Sequence, residues 1–170
     1  MDAAARLTDP ESLDDLLLYR MSRVLGVASS MVIRLCEGRF GITRREWRIL
    51  AALAQHEGLL SSELAQRAQL DRARTSKAIS SLVDKQLLAR EPRCGDRRQV
   101  ELALTDTGRA LYREFFPLVR AINQELLEVL SATEVARIDA ALKLLQQRAD
   151  EMVVRHAGLP KADRRRGGRK

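Results

Sequence analysis

Apolar and polar positions along the chain follow two rhythms. Over most of its length apolar residues recur every three or four positions, the period of a helix with one buried face, and in one short stretch they alternate, the period of a half-buried strand. From Ser12 to about Glu37, residues Leu17, Met21, Val24, Ala28, Met31 and Leu35 are spaced alternately by four and three. That seven-residue repeat suits packing against another helix. Leu13, Leu16, Val27 and Val32 widen the stripe, so the helix is predicted to have more than one neighbour, and Gly38 and Gly41 end it. Ahead of it, Asp9-Pro10 interrupts any pattern. A second helix is predicted from Thr43, where Thr43 and Glu46 form the Thr-x-x-Glu signature of a capping box. Its apolar residues are Trp47, Ile49, Leu50, Leu53 and Ala54, and Gly58 is placed to terminate it.

Between Ser61 and Thr105 the pattern becomes denser. Leu64, Ala65, Ala68 and Leu70 mark one short helix; Thr75, Ile79, Leu82 and Val83 mark the next, with Asp71 at its N-cap. The opposite face of this second helix carries Arg72, Arg74, Ser76, Lys77, Ser80 and Ser81, all able to donate hydrogen bonds. Val100, Leu102 and Leu104 then alternate with Gln99, Glu101 and Ala103 as a strand, preceded by the basic, turn-forming run Pro92 to Arg98. Helix, turn, helix and basic hairpin in this order describe a winged helix-turn-helix, whose natural partner is duplex DNA. Beyond it, Thr105 can cap a long helix to about Leu130, carrying Leu111, Phe115, Leu118, Ile122, Leu126 and Val129; Pro117 should bend that helix without abolishing it. Ser131 with Glu134 opens a last helix through Val135, Ile138, Ala141, Leu142, Leu145 and Met152.

The predicted fold class is therefore mostly α with a small β-hairpin wing. It divides into a flexible N-terminus (1–11), an N-terminal dimerisation helix (12–42), a winged helix-turn-helix DNA-binding domain (43–105), C-terminal dimerisation helices (106–157) and a disordered basic tail (158–170). The terminal helices carry more apolar faces than a chain of this size can bury alone. A homodimer is the economical solution, and it sets two reading helices about 34 Å apart, one duplex turn, to read a palindrome.

Charge sharpens this picture. The formal net charge is +7, and Lys161–Lys170 alone holds six basic residues and one acidic; Asp71–Arg98 holds eight and four, so the remaining residues are slightly acidic. The positive field is thus concentrated on the reading helix, the wing and the tail. Arg72, Arg74, Ser76 and Lys77 can reach base edges in a major groove, Ser80 and Ser81 phosphates, and Arg90 and Arg93 the duplex backbone. Arg97 or Arg98 can enter a narrow minor groove. The tail adds either non-specific DNA affinity or solubility alone. No apolar run spans a membrane and no leader-like segment is present, which points to a cytoplasmic protein. Cys36 and Cys94 lack metal-ligand spacing, His56 and His156 are far apart, and no nucleophile-plus-base arrangement or phosphate-cradling loop is visible. Neither a metal, nor another cofactor, nor an enzyme is expected.

Several segments resemble the MarR family of regulators over roughly residues 12–156. They are Phe40-Gly41-Ile42-Thr43 with Trp47 to Leu53, Glu63-Leu64-Ala65, Leu82 with Leu87-Leu88, Gly95-Asp96-Arg97-Arg98, and Leu104-Thr105-Asp106-Thr107-Gly108-Arg109. The resemblance implies a winged-helix homodimer, usually a repressor of a palindromic operator, released by a small aromatic carboxylate or phenolic effector. It also favours Arg97 as the residue that enters the minor groove. Trp47, Phe115 and Phe116 could wall an effector pocket, with Tyr19, Arg20, Arg48 and His56 as its polar ends. Gln86 departs from the pattern, standing where such regulators have Gly at the end of the reading helix; either Gln86 adopts a left-handed conformation or the helix ends differently. Two alternatives remain: an architectural DNA binder without effector, and a regulator that senses oxidants through Cys36 or Cys94.

Overall fold

Local capping chemistry sets where most helices begin. The computed structural model describes residues 3–93 and 96–160; the side chains of residues 3–5, 93 and 96–98 also fall outside the description. The expectations for Cys94, for the side chains of Arg93, Arg97 and Arg98, and for the tail 161–170 therefore lie outside the described residues. A short helix, α1 (Ala3–Thr8), stands where the sequence pattern predicted none. The amide and hydroxyl of Ser12 both donate to Asp15 Oδ2, at 3.0 and 2.6 Å, and draw Leu13–Asp15 into a single 3₁₀ turn. Leu16 is extended, so α2 (Leu17–Gly38) starts later than the apolar repeat predicts.

The capping box at Thr43 forms as predicted. Thr43 Oγ1 accepts from the Glu46 amide at 3.2 Å and a Glu46 carboxylate oxygen accepts from the Thr43 amide at 2.5 Å, opening α3 (Arg44–Gln55). Gly58 does have a positive φ of 73°, but α3 has already closed at His56, and Gly58 instead turns the chain into β1 (Leu59–Leu60). This two-residue strand is too short to leave a periodic signal. It leads into α4 (Ser61–Arg67) and α5 (Arg72–Asp84), the latter opened by Asp71 Oδ1 accepting from the Arg74 amide. Both helices end in six-to-one hydrogen bonds, Leu70 N to Ala65 O at 3.0 Å and Leu87 N to Leu82 O at 2.9 Å. This Schellman geometry needs a left-handed residue before the closing amide. Gln69 and Gln86 supply it, at φ 49° and 57°. Of the two outcomes open to Gln86, the strained one occurs.

Strands β2 (Leu88–Arg93) and β3 (Asp96–Leu104) pair antiparallel, with Leu88 opposite Leu104 and Pro92 opposite Val100. β1 adds to the other side of β3, so the wing is three-stranded in the order β1-β3-β2. Leu102 and Leu104 are buried as the alternation predicts, whereas Val100 projects beyond the core into solvent. Helix α6 (Asp106–Leu127) runs unbroken through Pro117, and α7 (Ala132–Arg155) begins at the Ser131–Glu134 capping box.

The chain divides into two compact units, residues 1–126 and 127–170. The first holds the core, in which Ile42, Ile49, Leu50, Leu53, Leu64, Leu82 and Phe115 are almost wholly buried. Along α2, Met21, Val24 and Met31 of the seven-residue repeat are solvent-exposed. In the second unit α7 buries nothing, and Ile138, Leu142, Leu145 and Met152 form an exposed apolar stripe.

One corner locks reading helix, wing and α6 together. Thr105 Oγ1 donates to the Gln86 carbonyl at 2.7 Å and accepts from the Gly108 amide at 3.0 Å, while the Thr105 amide donates to the Leu87 carbonyl at 3.2 Å. At Gly108 a Cβ would lie 2.1 Å from the Leu87 carbonyl oxygen. Backbone cannot yield there. Gly108→Ala is therefore expected to cost about 3 kcal/mol or more by forced displacement, whereas Gln86→Gly should stabilise by about 1 kcal/mol through relief of the left-handed strain. Thermal or denaturant unfolding at one protein concentration measures both, and opposite signs are the expected result.

Candidate nucleic-acid interface

Helix α5 presents two chemically distinct faces. Thr75, Ala78, Ile79 and Leu82 are buried, and Thr75 Oγ1 donates a hydrogen bond to the Asp71 carbonyl at 2.9 Å. Arg72, Arg74, Ser76, Lys77 and Ser80 are exposed on the other side, together with Ala73. Ala73 was not anticipated. Its methyl group lies exposed in the first turn among long donors, and alanine is a residue type that can meet a thymine methyl.

The predicted donors are not equivalent. Arg74 Nε is 3.2 Å from Asp71 Oδ2, so the N-cap carboxylate both closes the helix and holds this guanidinium. Ser80 Oγ accepts from Arg90 Nη2 at 3.3 Å, which links the reading helix to strand β2 of the wing. Ser76, Arg90 and the exposed Val100 line a slot of about 280 Å³ with Ser61, at the start of α4. Ser81 differs from these. It is half-buried, and its hydroxyl is near enough to the Glu46 carboxylate on α3 to stabilise the charge there.

Glu46 is 2% exposed. Burial pulls its pKa up, but bonds from Ser81, Thr43 and Lys85 outweigh that and hold the carboxyl below its ordinary value. Lys85 Nζ lies 2.9 and 3.0 Å from its two oxygens. Sequence pattern had no means to pair residues from different helices, and Glu46 was read only as a cap.

The residues predicted to bind an effector do not converge. Trp47, Arg48 and His56 do line one cleft of about 460 Å³, with Ala51, Ala52, Gln55, Arg67 and Ala68. Arg48 is half-buried, and its pKa is lowered by burial and by the neighbouring Arg44 cation, with no carboxylate among the described residues to offset either. Phe115 is fully buried beneath this site, its ring centroid 4.4 Å from Trp47 and 4.7 Å from Phe40. Tyr112 stacks on Trp47 at 5.6 Å and on Phe116 at 5.4 Å. Phe115 is thus core, not pocket wall. Arg20 belongs elsewhere, in an open apolar cleft of about 530 Å³ with Arg23, Val24, Val27, Ala28, Met31 and Leu126. Tyr19 sits half-buried on α2 and lines neither cleft. Arg67 and Gln55, which complete the first cleft, carried no sequence signal.

Comparison with known proteins places this geometry. A MarR family model matches residues 40–99. The HTH-type transcriptional repressor MdtR of Bacillus subtilis (strain 168) is 30% identical over 110 residues, 65% of this chain and 71% of MdtR. The crystal structure of a MarR family transcriptional regulator from Silicibacter pomeroyi aligns with a TM-score of 0.69 at 26% identity, covering 79% of this chain and 90% of that one. CouR from Rhodococcus jostii RHA1, solved bound to p-coumaroyl-CoA, shares the fold with a TM-score of 0.71 at 24% identity over 79% of this chain and 94% of its own.

The environment of Cys36 bears on oxidant sensing. The residue is fully buried, and its thiol is pushed up to about 11 by burial and by the adjacent Glu37 carboxylate. Thiolate is the reactive form, so burial and the raised pKa both disfavour reaction of this side chain at neutral pH. In a Cys94→Ser background, Cys36 is expected to resist alkylation by iodoacetamide at pH 7.5 until the protein unfolds. Rapid labelling of the native protein would restore it as a sensor.

Proposed function

The chain belongs to the MarR family of DNA-binding transcriptional repressors, and on that premise we propose that it acts in the cytoplasm as a homodimer on a palindromic operator and leaves it when a small aromatic anion binds. The observation that carries the DNA-reading part is the division of α5: four buried residues fix it to the core while Arg72, Arg74, Ser76, Lys77 and Ser80 face outwards beside the wing. In this reading Arg72, Arg74, Ser76 and Lys77 address base edges and Ser80 with Arg90 holds the duplex backbone. Arg93, Arg97 and Arg98 complete the wing contacts, Arg97 in the minor groove.

The exposed apolar repeat of α2 and the exposed stripe of α7 support the dimer, because each leaves several large aliphatic side chains about half open to water. The effector reading rests on the Trp47–Arg48 cleft. Its indole and alanine walls suit a flat apolar body, and the partly desolvated Arg48, with Arg67 and His56, suits a carboxylate. CouR, which shares the fold, was solved with an aromatic acyl-CoA.

Fragments selected from genomic DNA should contain a discrete inverted repeat. On that site Arg72→Ala is expected to lose about 10-fold or more in affinity, the worth of one good base contact, while random duplex is bound almost as before. An architectural binder would instead bind both DNAs alike, with a salt slope of roughly −0.9 per phosphate neutralised and no preference left as salt rises. Trp47 is the only tryptophan, so its fluorescence reports on the cleft. Benzoate should perturb that emission and release the operator, neutral benzamide should do neither, and Arg48→Ala should weaken benzoate binding about tenfold or more.

A further inference from the structure

The cation at the end of α5 has no place in the contacts above. Lys85 is the C-cap of the helix, 36% exposed and close to the reading surface, so its charge invites assignment to a phosphate. Its geometry says otherwise. An ammonium has three N–H donors, and Lys85 Nζ has three acceptors in hand: Glu46 Oε1 at 2.9 Å, Glu46 Oε2 at 3.0 Å and the Gly41 carbonyl at 2.9 Å.

Those acceptors are themselves fixed. Glu46 is held by the Thr43 amide in the first turn of α3, and the Ser81 hydroxyl, one turn before Lys85, reaches the same carboxylate. Gly41 lies in the corner between α2 and α3, which the Ile42 amide closes onto the Cys36 carbonyl at 2.9 Å. The reading helix is therefore fastened at two successive turns to one buried carboxylate and, through Lys85, to the end of α2. A buried ion pair adds little net stability, since desolvation offsets most of its attraction. What it does impose is a defined orientation.

We propose that Lys85 and Glu46 form a positioning pair that sets the pose of α5 for base reading, and that Lys85 does not contact DNA. This rests on the reading of α5 as the recognition helix. Base contacts need donors at fixed places, whereas attraction to the phosphate backbone tolerates displacement. Loosening the pair should thus erode discrimination before general affinity.

The test compares the full-length wild type with Lys85→Met, Lys85→Arg and Glu46→Gln. Each is measured on the selected operator and on random duplex over a range of salt concentrations, with thermal unfolding alongside. Lys85→Met is expected to lose about tenfold in operator preference, comparable to one base contact, with random-duplex affinity and salt slope unchanged. Lys85→Arg should recover most of the preference, and Glu46→Gln should add no further loss to Lys85→Met, as expected of partners in one interaction. Parallel loss on both DNAs with a salt slope shallower by about 0.9 would make Lys85 a phosphate contact and overturn the proposal. An intact preference with a lowered melting temperature would overturn it in favour of a purely structural pair. If Lys85→Met does not fold, Lys85→Arg decides: its preference must stay near wild type with the salt slope unaltered, and any other result rejects the pair. A wild type that does not prefer its selected DNA would be a separate failure, that of the regulator reading, and would remove this proposal with it.

Discussion

The backbone of α6 meets the backbone of the turn after α5 more closely than any side chain would allow. The absence of a side chain at Gly108 lets the first turn of α6 reach the Leu87 carbonyl, and the Thr105 hydroxyl then bridges the Gln86 carbonyl and the Gly108 amide. Reading helix, wing and α6 all pass through this one point: α5 ends at it, β2 leaves it and β3 returns to it. The guanidinium of Arg109, next in sequence, pairs with the Glu57 carboxylate in the turn before β1. Three places separated in sequence, at Glu57, Gln86–Leu87 and Thr105–Arg109, are thereby given one geometry. The strain accepted at Gln86 belongs to the same arrangement, since the closing bond from Leu87 to Leu82 requires a left-handed residue between them.

Electrostatics divide the cations of this lobe into two groups. Arg39 is matched by Glu114, Arg74 by Asp71, Lys85 by Glu46 and Arg109 by Glu57. Arg72 and Lys77 on the reading face, and Arg48 in the cleft, have no such carboxylate among the described residues. The formal excess of positive charge is therefore not a diffuse property of the surface. Among the unpaired cations, Arg72 and Lys77 share the exposed face of α5 and Arg48 is partly withdrawn from solvent, so an outside anion would gain at these places.

The parts of the fold that were legible in sequence are those that local chemistry decides. Thr43 with Glu46, Asp71, and Ser131 with Glu134 each satisfy helix amides within three residues of themselves, and each opens the helix they announced. Strand β1 was illegible because two residues make no period, and its partner Leu102 lies far along the chain. The link between Ser81 and Glu46 was illegible for a related reason. Donor chemistry is visible in sequence, but the carboxylate that claims it arrives from α3. The effector set shows the limit most clearly: five of the six aromatic rings touch one another around Trp47 and Phe115, Tyr19 being the exception, and composition cannot say which of them is core. The exposed donor face of α5 was legible because one helix period places Arg72, Arg74, Ser76, Lys77 and Ser80 on it.

Strand order has a consequence for solubility. A three-stranded sheet ordered β1-β3-β2 leaves β2 at a rim, where unpaired amides and carbonyls would ordinarily invite a strand from a neighbouring molecule. Pro92 brings no amide to that rim, and Arg90 and Glu91 flank it with opposite charges. The short strand that carries Arg90 is thereby guarded against edge-to-edge aggregation, and the sheet stops growing at three strands.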